Sequence, residues 1–356
     1  MKVGLLLALG DSFESMAKTG QDVQFKKVYL KKYSEHFEKI MIFSYGTAVP
    51  ADLPKNVEVL PNSRNVHRYI YAFLLPFIYK NKIREVSVLR AYHQSGTIPA
   101  ILIQILYGKD FIFNHAFNYK KFALIEHKYL QYLLFHIVDP LAFIKARKIF
   151  IANNKYTNKS KKTIFLPNGV NTEIFQLKKN FTITKPAQII TVGRLEPQKN
   201  HLMLIRALVG LKIELTIIGN GKLKSRLEKE AQKNKVKLNI INSLNYDKLP
   251  RKLQTADIFV LSSTLEGHPK ALLDAMACGL PVVGTNVEGT KEIIKHNKNG
   301  LLCDLNPASM KYEIIKLIKS AKLRKQLGLA ARKTVEQKYS LAKLLITEVK
   351  AVAEIV

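Results

Sequence analysis

Residues 262–289 read SSTLEGHPKALLDAMACGLPVVGTNVEG, and a short apolar run, Ile258 to Leu261, precedes them. The run has the length and composition of a buried strand. Glu266 and Gly267 follow in a turn. Pro269 sits where a helix starts, because its missing N–H is not needed there. Ala271 to Cys278 are mostly helix formers, and Gly279 suits the position just past the helix end. Pro281-Val282-Val283 opens the next strand. The stretch therefore predicts strand, acidic turn, helix, glycine stop and strand. A helix N-terminus offers unsatisfied N–H groups and the positive end of a dipole, which suits phosphate. Glu266 lies before that helix and Asp274 inside it. Two carboxylates beside a phosphate-ready helix start suit a ligand carrying both hydroxyls and phosphates.

The same pattern recurs upstream. Ile189 to Gly193 predicts a strand, with Arg194 directly after it and Lys199 five residues later, at the start of a helix over Asn200 to Leu208. Arg offers a planar fork of donors and Lys a point charge, so a strand end carrying both can clamp a diphosphate. Ile213 to Ile218 predicts another strand, ending in the Gly219-Asn220-Gly221 turn. Lys237 to Ile241 predicts a further strand, before a helix over Asp247 to Gln254. Helix extends from Ala308 to near Val356.

Towards the N-terminus the reading is a strand over Lys2 to Leu9, a polar loop to Gly20, a helix over Asp22 to Phe37 and a strand over Ile40 to Phe43. This is a doubly wound opening, whose ligands sit beyond the carboxyl ends of the strands. It has no Gly-x-Gly-x-x-Gly, which argues against a dinucleotide-dependent dehydrogenase. Glu85 to Arg90 and Phe111 to Phe113 predict strands that deliver His93 and His115 to the same end of a sheet. Lys121 to Ala146 reads as helix as far as an interruption at Pro140. Thr163 to Leu166 is a short strand. Pro167-Asn168-Gly169-Val170-Asn171 is a turn. Leu177 to Pro186, polar and without apolar period, reads as a linker between domains.

Three stretches carry a resemblance. Glu266 with Asp274 eight residues on and the Gly-Leu-Pro-Val-Val strand, Val-Gly-Arg-Leu-Glu-Pro-Gln-Lys-Asn at 192–200, and Pro-Asn-Gly-Val at 167–170 resemble retaining glycosyltransferases of family 4 (group 1). That family has a second Glu where this chain has Asp274. The resemblance implies the GT-B fold, α/β, with two doubly wound parallel-sheet domains facing a central cleft. The expected domains are 1–177 for the acceptor and 178–340 for the donor, with the C-terminal helix at about 341–356 crossing back onto the first. It implies a nucleoside diphosphate sugar, UDP- or GDP-linked, as donor and a glycan or lipid-linked molecule as acceptor. Glu266, His115, Arg194 and Lys199 are implied as catalytic. Gly20, Gly193, Arg194, Lys199, Gly219, Glu266, Gly267, His268, Lys270, Ala271, Leu272 and Asp274 are implied at the donor, and His93 with His115 at the acceptor. Transfer without a metal or other cofactor is expected, since a Lys-Arg clamp can take the metal's place and no Asp-x-Asp cluster lies near a strand end. The alternative is a catalytically weak homologue that binds a membrane or a partner.

Composition bounds the rest. The 356 residues suffice for two domains, and two cysteines, Cys278 and Cys303, form neither a metal spacing nor a disulfide framework. The formal charge is +30, unevenly spread. Residues 60–162 hold 17 basic and four acidic side chains, and 18 of the 32 Phe and Tyr residues. A basic, aromatic segment of this kind suits anionic lipid head groups. No nucleic-acid module is recognisable, so nucleic acid is not expected as a partner. The run Val3 to Leu9 reads as a strand rather than a signal peptide. The expected location is the cytoplasm, peripheral on the inner face of the plasma membrane.

Overall fold

The computed structural model describes residues 1–115, 120, 123–124, 128–152 and 160–355. The chain divides into two compact units. One joins Met1–Pro167 to Lys343–Val356, and the other is Asn168–Ala342.

The first unit holds a seven-stranded sheet. Its strands are β1 (Lys2–Leu6), β2 (Lys39–Phe43), β3 (Val57–Leu60), β4 (Val88–Ala91), β5 (Asp110–His115), β6 (Lys148–Ile151) and β7 (Thr163–Phe165), in the order β3-β2-β1-β4-β5-β6-β7. Every pairing is parallel. A parallel sheet covered on both faces buries its central strands, and β4 is buried at all four positions, its one charge, Arg90, being paired with Glu348. The order reverses between β1 and β4, which is the switch point of a doubly wound sheet. The C-terminal helix, Leu341–Ala353, contributes Val349, Ala351 and Val352 to the core formed by Val3, Leu5, Ile42 and Phe150.

The second unit repeats the plan with six strands. These are β8 (Ala187–Val192), β9 (Ile213–Ile218), β10 (Lys237–Ile241), β11 (Ile258–Leu261), β12 (Val282–Thr285) and β13 (Leu301–Cys303), in the order β10-β9-β8-β11-β12-β13, again all parallel. The switch point lies between β8 and β11. Their carboxyl ends carry the two stretches singled out in the sequence.

Several local expectations change. Strand β1 stops at Leu6, and the expected polar loop contains a helix, Phe13–Ala17, opened by Ser12, whose side chain and that of Ser15 cap each other's backbone. The strand expected at Glu85 begins at Val88, because Lys80–Glu85 closes the preceding helix. Pro140 does not interrupt the helix Tyr129–Lys145, which runs through it with Pro140 on its exposed side. The expected linker 177–186 is not free. Lys178 donates from its backbone to Cys278 and from its buried Nζ to Ala256 C=O at 2.6 Å, and Thr184 donates to the Asp257 carboxylate at 2.7 Å. These bonds strap 177–186 onto the second unit. Residues 168–177 belong there too, since Val170 bridges Ser340 and Phe175 is fully buried.

Candidate active site

Most of the residues expected at the donor gather at the switch point of the second sheet. Arg194 follows β8 and is exposed. The chain then makes a short 3-10 turn, Pro197–Lys199, before the helix His201–Ala207. Lys199 Nζ stands 2.6 Å from Glu266 Oε1. Glu266 is 7% exposed, and the same oxygen accepts from Ser263 Oγ at 2.5 Å. Backbone contacts fix both partners. Ser262 Oγ donates to Lys199 C=O at 2.8 Å, Thr264 N–H to Gln198 C=O at 2.8 Å, and Gln198 Nε2 to Leu265 C=O at 2.7 Å. The β8 and β11 ends are thus laced together, and Lys199–Glu266 is the charged stitch between them. A charge-assisted bond of this length in a mostly buried setting is stronger than a surface ion pair.

Glycines make the close approaches. A Cβ on Gly219 would lie 1.9 Å from Gly193 C=O, so the β9 loop can rest against the β8 loop only without a side chain. A Cβ on Gly289, whose φ is +83°, would lie 2.4 Å from Gly267 C=O and 2.7 Å from Glu266 C=O. A Cβ on Gly193 would lie 3.3 Å from the Lys199 stem, so the glycine leaves that stem its lane.

The helix predicted after Pro269 spans Lys270–Ala277, with Pro269 at its N-cap and no acidic side chain in its first turn. The N–H groups of Lys270, Ala271 and Leu272 precede the first intrahelical donor, Leu273 N–H, which bonds Pro269 C=O, so they are available to an anion. The Leu272 side chain itself is core, which leaves only its backbone N–H for a ligand to reach. His268 is 7% exposed. Its ring packs 5.3 Å from Tyr339, its backbone carbonyl accepts from Asn168 Nδ2, and Nδ1 has no hydrogen-bond partner among the described residues. Burial pushes this histidine down to about 3.

Asp274 is 3% exposed and already engaged. Lys270, one turn earlier, reaches its oxygens at 2.9 and 3.2 Å, and Tyr246 OH donates to it at 3.0 Å. Lys270 also lies over the Tyr246 ring, 4.1 Å from its centre. Burial raises the Asp274 carboxyl, while Lys270 and Tyr246 pull it back down. Tyr246 carries no sequence signal, because its contact with Asp274 spans 28 residues.

The remaining predicted residues, Gly20, His93 and His115, belong to the first unit. Gly20, with φ +69°, closes the Phe13–Ala17 helix by donating to Ala17 C=O. His93 Nδ1 caps the Gln94–Gly96 turn by accepting from Ser95 N–H. His115 ends β5 and is 8% exposed, with its Nδ1 3.1 Å from Gln94 Oε1. Burial, aided by Lys120, pushes His115 down to about 4. Gln94 and its neighbour Asp139 were not singled out by sequence. Among the described residues no cluster of His, Cys, Asp and Glu is arranged to hold a metal.

Comparison with known proteins gives a family likeness. Residues 173–334 match the family model described as glycosyl transferases group 1. The amylovoran biosynthesis glycosyltransferase AmsK of Erwinia amylovora is 30% identical over 250 residues, covering 65% of this chain and 56% of that protein. The UDP-Gal:alpha-D-GlcNAc-diphosphoundecaprenol alpha-1,3-galactosyltransferase of Escherichia coli is 33% identical over 161 residues, covering 40% of this chain and 41% of that one. The chain spans about half the length of the curated relatives it matches. Sucrose-phosphate synthase from Thermosynechococcus elongatus shares the fold with a TM-score of 0.83 at 13% identity, over 100% of this chain and 99% of that one. Two parallel, doubly wound sheets and this structural likeness give the chain the GT-B fold, and its residues 173–334 are similar to the glycosyl transferases of group 1.

Proposed function

We propose that this chain transfers a hexose from a nucleoside diphosphate sugar to a glycan or lipid-linked acceptor, with retention at the anomeric carbon. The observation that carries the reading is the partly buried Lys199–Glu266 pair at the β8/β11 switch point, beside Arg194 and the open N-terminus of the Lys270–Ala277 helix. In the transfer, the bond between the anomeric carbon and the diphosphate oxygen breaks. The acceptor oxygen bonds to that carbon, and its proton leaves to the departing diphosphate. Negative charge grows on the diphosphate as the bond breaks. Lys199, Arg194 and the helix N–H groups stand where that charge is stabilised. We place the counter-charge on these groups and require no metal. Glu266, oriented by Lys199 and Ser263, would hold sugar hydroxyls near the anomeric carbon, and Asp274 the ribose. His115 and His93 would position the acceptor or the sugar.

A nucleotide-sugar panel assayed with chelator present tests this. Transfer that survives both Glu266→Gln and Arg194→Ala at near wild-type rate removes the assignment. A second reading, a weakly catalytic binding subunit, draws on Asp274 being already occupied by Lys270 and Tyr246. It predicts that the whole panel gives neither transfer nor hydrolysis.

We place the chain in the cytoplasm, on the inner face of the membrane that holds its acceptor. Among the described residues no helix is long and apolar enough to cross a membrane. The support is an exposed apolar face. The helix Arg68–Ile78 presents Phe73 and Phe77, and the helix Tyr129–Lys145 presents Leu133, Ile137, Leu141 and Ile144. Both pack against the helix Thr97–Tyr107 between them. Lys80, Lys128 and Lys145 are exposed nearby in sequence. Tyr71, Phe111, Phe113 and Phe150 are core, whereas Tyr129 is exposed with Phe73 and Phe77, so the exposed face carries both aliphatic and aromatic side chains. An apolar patch of this kind with basic neighbours suits an anionic bilayer surface.

A further inference from the structure

Three elements of the first unit bring Asp139, Gln94 and His115 into one buried line. Asp139, on the helix Tyr129–Lys145, is 7% exposed, Gln94 in the turn after β4 is 0% exposed, and His115 at the end of β5 is 8% exposed. Gln94 Nε2 donates to Asp139 Oδ1, and Gln94 Oε1 lies 3.1 Å from His115 Nδ1. The Phe143 ring stands edge-on to the imidazole at 5.0 Å and closes one side.

The donors and acceptors in this line admit one arrangement. An ionised carboxylate only accepts, so the amide must turn its NH₂ toward Asp139. That leaves the amide oxygen toward the imidazole, and an amide oxygen also only accepts. His115 Nδ1 must therefore carry the proton. Burial keeps the ring neutral, so it holds a single proton and the lone pair falls to Nε2.

We propose that Gln94 and Asp139 are positioning residues that lock His115 in its Nδ1-protonated tautomer, making Nε2 an obligate hydrogen-bond acceptor for a hydroxyl of the sugar or the acceptor. The hydroxyl partner rests on the functional reading given above, whereas the tautomer rests on the Asp139–Gln94–His115 line alone. Asp139 contributes its inability to donate. An asparagine there offers either a donor or an acceptor, and the Gln94 amide is then free to face either way.

The test is long-range ¹H–¹⁵N NMR of the full chain with ¹⁵N-labelled histidine at neutral pH, with His115 assigned by its disappearance in His115→Gln. The wild type should show a protonated Nδ1 and an unprotonated Nε2. Asp139→Asn, nearly isosteric, should shift both resonances toward an average of the two tautomers. Gln94→Met, which removes both hydrogen bonds without changing charge, does the same and serves if Asp139→Asn unfolds. In transfer assays Asp139→Asn should lower kcat about tenfold with donor KM little changed. A wild-type ring protonated on Nε2, or the wild-type resonance pattern in both variants, overturns the proposal. A locked wild-type tautomer in a chain without transfer activity keeps the positioning and removes the function.

Discussion

Arg90 and Glu348, 258 residues apart, meet in the core of the first unit with Arg90 Nε 2.8 Å from Glu348 Oε1. The two side chains are 0% and 6% exposed. Tyr33 OH donates to the same carboxylate oxygen at 2.9 Å, and Arg90 also donates to Asn114 and Ala91. Its guanidinium lies against the rings of Tyr92 and Phe150. Breaking a buried pair from one side costs about 3–5 kcal/mol, because the survivor is left charged and unpaired. Glu348→Ala should lower the stability of the first unit by about that amount in urea unfolding, and Arg90→Met with Glu348→Leu should lose less than either single change. A Glu348→Ala chain that unfolds at the wild-type urea concentration contradicts this.

Lys199 serves both the buried carboxylate of Glu266 and the proposed leaving group. Lys199→Ala should therefore reduce kcat/KM by about 100-fold or more, the scale seen when one preorganised donor is removed from a developing charge. Steady-state kinetics with the best donor of the panel decides it, and a loss below about threefold would place Lys199 outside the reaction.

The Lys270–Asp274–Tyr246 contact predicts a coupling. Lys270→Met leaves a 3%-exposed carboxylate with Tyr246 alone, and should cost about 1–3 kcal/mol. In an Asp274→Asn background the same change should cost much less. Equal costs in both backgrounds would mean that the lysine is not supporting the aspartate.

Acid should weaken the fold through its buried histidines. His115 is depressed to about 4 and His268 to about 3, both by burial. A depressed histidine binds its proton more readily when unfolded. Its stabilising contribution is full above about 6.5 and is lost as pH falls toward the folded value. The contributions are on the order of 3 kcal/mol for His115 and 5 kcal/mol for His268, because a tenfold loss of proton affinity on folding corresponds to about 1.4 kcal/mol. Asp139 runs the other way. Its carboxyl is raised to about 6 by burial, so it takes up a proton first in the folded state and offsets part of the loss between about pH 6 and 4. Melting curves from pH 7.5 to 4 should show a net fall, partly relieved in His268→Phe. A flat profile is the contrary result.

The exposed face of the Tyr129–Lys145 helix should hold the chain on lipid. Leu133→Glu with Ile137→Glu should abolish flotation with anionic vesicles while leaving the melting temperature within a few degrees, since both side chains are exposed. Added salt should weaken flotation only partly, because burial of apolar surface is not screened. Unchanged flotation of this variant, or its loss explained by a dimer separating into monomers, excludes the bilayer as the occupant.

The second unit was the more legible half because its information is local. Pro269, the helix formers after it, Gly279 and the Val282-Val283 run each act on their own few residues, and strand, helix and strand appear where they point. Lys199 and Glu266 were readable as charges at strand ends, but the bond between them was not. Tyr246, Gln94, Asp139 and Glu348 left no trace in the sequence for a related reason: each acts through a partner distant in the chain, 21 positions away at the nearest. The Phe13–Ala17 helix was missed because five residues carry too little period, and its cap uses Ser15 where the usual signal is Glu or Gln. At Pro140 a general rule about proline gave way to the packing of Val138 and Ala142 on the buried side of the same helix.

The first unit is discontinuous, and a ribosome makes its parts in an awkward order. Arg90 emerges early, yet its carboxylate partner is made only after all of residues 168–342. Until then the nascent N-terminal sheet carries an uncompensated cation at its centre and an uncovered strip along Val3, Leu5 and Ile42 where Val349 and Val352 will lie. The half translated first is therefore completed last, after the continuous second unit has had its whole sequence to fold.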